Sequence, residues 1–411
     1  MKLDAASGGA SQESVGPSAF FGGAYAGRQV FLTGHTGFKG AWLGEWLSRL
    51  GAEVTGYALA PPTDPSLFDA IDLGRRTRHV VADVRDGERL KAEVVAARPC
   101  VMFHLAAQPL VRRAYAEPRE TFETNVMGTV NVLEAARSCP SLRALIIVTS
   151  DKCYQNLESG RPFVEDDAMG GHDPYSSSKG CAELVTAAYR QSFFGGAGDG
   201  VVAVASVRAG NVIGGGDWAQ DRIIPDCVRA LTAGERIVVR SPDAVRPWQH
   251  VLEPLSGYLW LGAHILDGSG DLAGAWNFGP TDQDGARPVS WVVERFLEEW
   301  GTGGWTTPAG NHPQPHEAHW LSLESTKARK RLGWAPVWSA RAAVRRTAAW
   351  YRDYYRDPSA ARELVRTDLV AYQAAAREAG LPWARAGEWR ADEGAASVHP
   401  VDAERHDDRC S

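Results

Sequence analysis

The sequence predicts an α/β protein built on a doubly wound parallel sheet, with a smaller α/β lobe following it. Three observations point there. Short apolar runs alternate with amphipathic stretches up to about residue 205. The first of these runs leads through a glycine-rich turn into a helical pattern. Beyond residue 206 the alternation gives way to loop-forming sequences such as Gly214-Gly215-Gly216 and Arg246-Pro247-Trp248.

Residues 1–27 are rich in Gly, Ser and Ala and show no periodic apolar face, which predicts a flexible leader. Strands follow at Val30-Phe31-Leu32-Thr33, Glu53-Val54-Thr55-Gly56-Tyr57, His79-Val80-Val81 and Val101-Met102-Phe103-His104. Two more follow at Leu145-Ile146-Ile147-Val148-Thr149 and Val201-Val202-Ala203-Val204. Continuous apolar runs of this length suit strands buried on both faces. Helices fit the gaps at about 39–50, 85–97, 121–137 and 174–193, so residues 28–205 form one unit of successive βα pairs. Residues 206–355 are expected to be mainly a substrate-binding lobe with segments returning to the first unit. Helical patterns close that lobe at about 290–300 and 340–355. Residues 356–411 form a C-terminal extension, loose from about 386, where Ala391 to Ser411 carries six acids against two arginines.

Composition narrows the function. A net charge of −6, with no Lys/Arg cluster, argues against a nucleic-acid or anionic-membrane binder. Six scattered cysteines without CxxC spacing predict a reduced, cytoplasmic setting. With neither a signal-type apolar segment near Lys2 nor an 18-residue apolar run, no membrane association is expected.

Thr33-Gly34-His35-Thr36-Gly37-Phe38-Lys39-Gly40 spaces its glycines G-x-x-G-x-x-G between the first strand and the first helix. Such a turn brings backbone N–H groups and the positive helix end against a pyrophosphate, so Gly34, His35, Thr36, Gly37, Phe38, Lys39 and Gly40 are candidate dinucleotide-binding residues. This makes residues 28–205 a Rossmann-type domain. About 20 residues on, where an acid would hold the adenosine ribose, the chain reads Tyr57-Ala58-Leu59, with neither acid nor arginine. Asp83 is placed either at adenine or as a cap ahead of Arg85-Asp86-Gly87.

Tyr175-Ser176-Ser177-Ser178-Lys179 sets a phenol and an ammonium one helical turn apart. Lys179 there would lower the Tyr175 phenol's pKa and hold a nicotinamide ribose, leaving the tyrosinate to take a sugar proton. The pattern alone is common on solvated helix faces. The fifth strand gives it context by ending in Thr149-Ser150-Asp151-Lys152-Cys153-Tyr154, which delivers a hydroxyl, a carboxylate and an amine to the edge where ligands of such sheets bind. The chain has seven lysines against 37 arginines, yet Lys39, Lys152 and Lys179 all fall in these motifs. Lysine, unlike arginine, can give up its proton.

These motifs, with His104-Leu-Ala-Ala-Gln-Pro-Leu-Val-Arg112, Thr124-Asn-Val-Met-Gly-Thr129, Arg208-Ala-Gly-Asn-Val-Ile-Gly-Gly-Gly-Asp-Trp218 and Arg246-Pro-Trp-Gln-His-Val-Leu-Glu-Pro254, resemble the extended short-chain dehydrogenase/reductase superfamily. Within it, the chain resembles the CDP-glucose 4,6-dehydratases of the NAD-dependent epimerase/dehydratase family from about Arg28 to Tyr355. The resemblance implies redox-neutral dehydration of CDP-D-glucose to CDP-4-dehydro-6-deoxy-D-glucose, with NAD recycled in the site. It implies that Tyr175, helped by Lys179 and Ser150, takes the carbon 4 hydroxyl proton, Lys152 takes the carbon 5 proton, and Asp151 protonates the departing carbon 6 hydroxyl. Related dehydratases commonly have glutamate where Lys152 stands. Besides the turn residues, the implied cofactor set comprises Asp83, Val84, Leu105, Ala106, Ala107, Gln108, Asn125, Tyr175 and Lys179. The implied substrate set comprises Gln108, Asn211, Arg222, Arg246 and His250, guanidinium forks suiting phosphate oxygens. A homo-oligomer is implied, a dimer or dimer of dimers, paired through the helices at 121–137 and 174–193.

Trp218 and Trp248 are read as packing rather than nucleotide stacking. His312, His316, Glu317 and His319 invite a metal reading, but H-E-x-H is not the H-E-x-x-H spacing and two prolines oppose a helix, so no metal is expected. The family has a similar His-Pro-His-Glu-Ala-His segment, from which this chain departs by one extra Pro/Gln pair. Two other functions compete. A nucleotide-sugar 4-epimerase uses the same turn and Tyr–Lys pair but does not need the Asp151-Lys152 acid–base pair. A non-catalytic dinucleotide sensor needs no such constellation as Ser150, Asp151, Lys152, Tyr175 and Lys179.

Overall fold

The protein is described by a computed structural model covering residues 17–195, 201–268, 270–281, 286–308 and 318–385. Its centre is a seven-stranded, all-parallel sheet. The strands are β1 (Gln29–Thr33), β2 (Glu53–Ala58), β3 (Arg78–Val81), β4 (Val101–His104), β5 (Ala144–Val148), β6 (Ala203–Ala209) and β7 (Gly274–Phe278). They lie in the order β7-β6-β5-β4-β1-β2-β3. Strand order reverses between β1 and β4, and this switch point opens the crevice in which open α/β sheets bind ligands.

The side-chain period of two explains why the strands read as unbroken apolar runs. Val30 and Leu32 of β1, Val101 and Phe103 of β4, and Ala144, Ile146 and Val148 of β5 enter one core. Phe31, Met102, Leu145 and Ile147 enter the other. The second core is closed by α2 (Gly87–Ala97) and α3 (Gly128–Arg137), with α4 (Pro174–Phe193) packed alongside. The first is closed by α1 (Phe38–Arg49) and by α5 (Leu252–Leu266), whose side chains from Leu252 to Ile265 are all buried.

Two expectations are corrected. The boundary at residue 205 falls inside β6, which runs on to Ala209; β7, from residues 206–355, is a segment that returns to the sheet. The apolar residues Ala275, Trp276 and Phe278 lie too close to loops to show a strand by pattern alone. The leader is not loose from residue 17 onward. Phe20, Phe21 and Tyr25 are buried, Phe21 stacks on Trp383 at 5.0 Å, and the Tyr25 hydroxyl donates to the Leu259 carbonyl at 2.6 Å. Three aromatic residues within six positions were the signal.

The second lobe is made of short pieces. Helices α6 (Val289–Trp300) and α7 (Ala340–Arg356) pack on one another among two-residue ladders such as Val212–Ile213 with Gln249–His250. Helix α8 (Ala361–Glu378) follows, and its Tyr372 hydroxyl donates to Glu253 at 2.8 Å. Glu253 is fully buried and also accepts the Val337 and Trp338 amides, so a charge at the start of α5 ties down the C-terminal extension.

Candidate active site

The glycine-rich turn leaves β1 at the switch point. Gly34 has φ +76°, and a Cβ there would lie 2.6 Å from the Ala106 nitrogen, so only glycine fits between β1 and the loop after β4. A Cβ on Gly40 would meet the Gly34 carbonyl at 2.0 Å, which couples α1 to the turn. Gly37, the N-cap of α1, differs. Its nearest protein atom would be 3.5 Å away, so the protein itself leaves that position open. A turn crowded at its outer glycines and clear at the middle one fits a pyrophosphate approaching the helix N-terminus.

Several expected cofactor contacts are instead internal supports. His35 is fully buried, bonded to His79 at 2.6 Å and edge-on to Phe68, with burial pushing its pKa down to about 3. It offers the site backbone, not imidazole. Thr36 donates to the Leu59 carbonyl. Thr33 Oγ1 contacts His104 Nδ1 at 2.7 Å and accepts the Leu105 and Ala106 amides at 3.2 Å each. Gln108 and Asn125 hold one another: Asn125 Oδ1 accepts the Gln108 amide at 2.8 Å, and its Nδ2 donates to the Gln108 carbonyl and to Ser178. The Gln108 side chain is bonded to Leu110 and Thr121, so it supports the loop containing Ala107 rather than facing a sugar. Asn125 sits in a π-turn, Glu123–Met127, of the kind that often marks functional sites. Val84 enters the core, and its carbonyl accepts from Asn131. Asp83 gives one oxygen to the Arg85 amide and the other to the Arg85 guanidinium, which favours a turn-forming role, while Asp86 caps α2.

The catalytic candidates meet at the carboxyl edge of β5. Asp173 caps α4 and Pro174 opens it, which puts Tyr175 in the first turn and Lys179 one turn on. Ser150, Asp151, Tyr175 and Lys179 are 8 %, 3 %, 8 % and 6 % exposed, so their charges are set by one another rather than by water. Ser150 Oγ donates to Asp151 Oδ1 at 3.0 Å and accepts the Lys152 amide at 3.2 Å. Asp151 Oδ2 is buried without a hydrogen-bond partner among the described residues. Burial raises the Asp151 pKa against the opposing charges of Lys152, Arg246 and Lys39 and the Ser150 bond. A carboxyl so placed is shifted toward its protonated form, the form that can act as an acid.

Lysine charge is weakened in the same crevice. Burial lowers Lys39 to about 8, with Arg222 and Lys179 adding to the effect and Asp151 opposing it. Lys179 also falls to about 8 through burial, opposed by Glu183, and its Nζ donates to the Val148 carbonyl at 3.4 Å. Tyr175 corrects an expectation. Burial raises its phenol to about 12, and the groups that oppose this are the Ser150 hydroxyl and Arg222, not Lys179.

Lys152 lines a cavity of about 180 Å³ beside the start of α4, with Tyr154, Gly171, Asp173, Ser176 and Leu321. Arg222 pairs with Asp217 at 2.9 Å and faces Tyr175 and Lys39. Arg246 is buried and faces Asp151, with Nη1 donating to the Val245 and His319 carbonyls. Asn211 lies between β6 and the Val212–Ile213 ladder, half-buried, its carbonyl accepting the Gln249 amide. His250 does not reach the site. It is fully buried, lies edge-on to Trp42 and Trp338, and is lowered to about 3 by burial, so it is a core residue. Trp218 packs against Trp350, Tyr351 and Tyr354, and Trp248 donates to the Arg287 carbonyl. His312, His316 and Glu317 lie outside the described residues.

Sequence reasoning missed the layer beneath the site. Glu183 accepts from Arg208, Thr149 and Ser206, and Arg208 also donates to the Tyr154 hydroxyl, which donates to Asn277 at 2.7 Å. Glu183 continues the face of Tyr175 and Lys179 by one more turn, a signal present in the sequence.

Residues 30–277 match the NAD dependent epimerase/dehydratase family. Among curated proteins, the CDP-glucose 4,6-dehydratase of Salmonella typhimurium is 47 % identical over 335 residues, covering 81 % of this chain and 92 % of its own. A dTDP-glucose 4,6-dehydratase of Streptomyces griseus is 25 % identical, covering 79 % and 94 %. In fold, the chain is similar to the dTDP-glucose 4,6-dehydratase of Bacillus anthracis, solved in complex with NAD, at a TM-score of 0.65 and 20 % identity, covering 80 % and 97 %. The UDP-glucose 4-epimerase of Thermus thermophilus, also solved with NAD, gives 0.67 at 23 % identity, covering 79 % and 98 %. With the turn, the sheet order and the Tyr175–Lys179 pair in place, the chain belongs to the NAD dependent epimerase/dehydratase family, and NAD is its cofactor.

Proposed function

We propose that this protein is a lyase that converts CDP-D-glucose to CDP-4-dehydro-6-deoxy-D-glucose and water. The observation that carries the reading is the buried Asp151 carboxyl, its pKa raised by burial and its Oδ2 without a hydrogen-bond partner among the described residues, placed between Ser150 and Lys152. An epimerase releases no water and has no use for such an acid. The 47 % identity to the Salmonella typhimurium CDP-glucose 4,6-dehydratase supports the same substrate.

NAD, held against the turn at residues 34–40, would supply the hydride chemistry that oxidises carbon 4 and reduces carbon 6. Tyr175 takes the carbon 4 hydroxyl proton, with Ser150 and Arg222 favouring its anion. Lys179 would hold the nicotinamide ribose from the same helical face. The ketone at carbon 4 acidifies carbon 5, whose proton goes to Lys152, and Asp151 protonates the carbon 6 hydroxyl as it departs as water. Lys152 then returns its proton to carbon 5. Gly34, Gly37 and Gly40 shape the pyrophosphate seat, and Arg222, Arg246 and Asn211 hold the substrate diphosphate and sugar from the second lobe, residues 206–355 less the strand and helices that return to the sheet. The test is incubation of purified protein with CDP-, dTDP-, UDP- and GDP-glucose, scored for 4-keto sugar by its absorbance in alkali. CDP-glucose is expected to give the fastest turnover. Absence of 4-keto product from all four overturns the reading.

We also propose a homodimer, or a pair of them, joined through α3 and α4. Leu184 on α4 and Met127, just before α3, are exposed apolar side chains there. Light scattering at two or four times the chain mass is the expected result. A cytoplasmic setting is proposed on five described cysteines, all unpaired. No helix among the described residues is long and apolar enough to cross a membrane, and no cluster of three or more potential metal ligands occurs among them.

A further inference from the structure

Residues 214–222 lead from the Val212–Ile213 ladder to the helix Ile223–Thr232, and three elements clamp them on the way. From α1, the Trp42 indole N–H donates to the Gly215 carbonyl at 2.9 Å, and a Cβ on Gly214 would lie 3.2 Å from the Phe38 ring. From α7, a Cβ on Gly215 would lie 1.9 Å from the Trp350 ring, so only glycine fits there. Tyr351, the next residue of α7, accepts the Asp217 amide at 2.9 Å on its hydroxyl and donates that hydroxyl to the Asp217 carbonyl. Leu67, in the short helix Leu67–Ala70, closes on Gly216, whose φ is +85°. The run is thus fastened at once to the second lobe and to α1, the helix that the glycine-rich turn opens.

Asp217 sits within this clamp and is buried. Its Oδ1 accepts the Ala219 amide at 3.0 Å, and its Oδ2 accepts Arg222 Nη1 at 2.9 Å. Between them the chain turns at Asp221, φ +60°, just before Arg222. The two ends of the ion pair differ: the Asp217 side chain is 8 % exposed and the Arg222 side chain 34 %. The guanidinium makes no other hydrogen bond among the described residues, so its Nε and Nη2 donors are left for a ligand. An ion pair between two free surface side chains contributes little, because both must be ordered to form it. Here the backbone that carries the carboxylate is already fixed, and the arginine is ordered before any anion arrives.

We propose that Asp217 is a positioning residue for the substrate diphosphate, aiming Arg222 into the crevice; this rests on the reading of Arg222 given above. Asp217 touches no substrate atom itself. It takes one edge of the guanidinium, leaves the other donors to phosphate oxygens, and relieves the diphosphate of the entropy of ordering a long side chain. Its effect on binding therefore exists only while Arg222 is present, which separates it from an acid that merely braces the loop.

The measurement is calorimetric titration of NAD-loaded protein with CDP, dTDP, UDP and GDP, which share the diphosphate, followed by a double-mutant cycle with the tightest of them. Asp217→Asn keeps an acceptor for the Ala219 amide and loses the charge. Its dissociation constant for that nucleotide is expected to rise about tenfold, with NAD affinity unchanged. In an Arg222→Met background the same substitution should change nucleotide affinity by less than about twofold. In turnover, KM for CDP-glucose should rise by a larger factor than kcat falls. Should Asp217→Asn fail to fold, Tyr351→Phe, which frees the Asp217 backbone and leaves its carboxylate, carries the same cycle. An equal loss with and without Arg222, a parallel loss of NAD affinity, unchanged nucleotide binding, or binding of none of the four nucleotides would each overturn the positioning role. Failure of the unaltered protein to turn over CDP-glucose, with nucleotide binding and the cycle as expected, would instead overturn the dehydratase reading, so the two failures are distinguishable.

Discussion

Arg208 closes on Glu183 through two parallel hydrogen bonds, Nε to Oε1 at 2.9 Å and Nη2 to Oε2 at 2.8 Å, with both side chains 4 % exposed. Glu183 lies one turn beyond Lys179, and Arg208 reaches Tyr154 at the end of the Ser150–Tyr154 segment. The pair thus joins the helix and the loop that carry the catalytic set. Removing one partner strands a buried charge, so Arg208→Met is expected to cost about 3–5 kcal/mol in denaturant unfolding. Replacing both, as Glu183→Leu with Arg208→Met, should cost less than the sum of the single changes.

The three glycines of the turn separate folding from binding. Gly34→Ala and Gly40→Ala place a Cβ inside 3 Å of backbone and are expected to yield little folded protein. Gly37→Ala meets nothing closer than 3.5 Å, so its melting temperature without cofactor should match that of the unaltered chain. Its NAD affinity should still fall by about tenfold or more, a loss of about 1.4 kcal/mol. Calorimetric titration reads the difference, and unchanged NAD affinity in Gly37→Ala would place the pyrophosphate elsewhere.

Asp151 and Lys152 act after oxidation at carbon 4. Asp151→Asn and Lys152→Ala are each expected to lower turnover by about 10²–10⁴-fold while retaining NAD. Reduced nicotinamide should still appear on mixing with CDP-glucose. Lys152→Ala alone should abolish solvent-hydrogen exchange at carbon 5, and near-normal turnover of that variant would remove its role as base.

Asp151 also ties stability to pH. Its pKa is raised in the folded protein, chiefly by burial, so the folded state binds more protons than the unfolded one between the ordinary carboxylate range and the raised value. Stability from this group is therefore intact at acid pH and lost as pH rises through the folded pKa. Asp151→Asn, which stays neutral, should match the unaltered chain's melting temperature at acid pH and exceed it at neutral pH. An equal offset at both would show that the effect is packing rather than ionisation.

Most of the scaffold was legible because it rests on local patterns. Two-faced burial makes β1, β4 and β5 continuous apolar runs, and the turn and the Tyr175–Lys179 spacing are short-range features. What stayed hidden depends on distant partners. His250 looks like a ligand in a list of residues, yet Trp338, which claims it, is far along the chain. The fate of the Tyr175 phenol turned on burial and on Arg222, neither of which the i, i+4 spacing reports. Helix α5 was missed because a segment buried all round loses the periodic contrast by which helices are recognised.

The stack of Phe21 on Trp383, continued by Tyr372 and met edge-on by Trp46, sets an order on biosynthesis. Trp383 leaves the ribosome long after the sheet strands have emerged. Until then Phe21 has Tyr25, Trp46 and Trp260 beside it but not the ring that stacks on its face, so part of the aromatic cluster stays uncovered late into translation. Phe21→Ala should therefore be felt twice: about 3–5 kcal/mol in the finished protein, and less dependence on chaperones while it is being made.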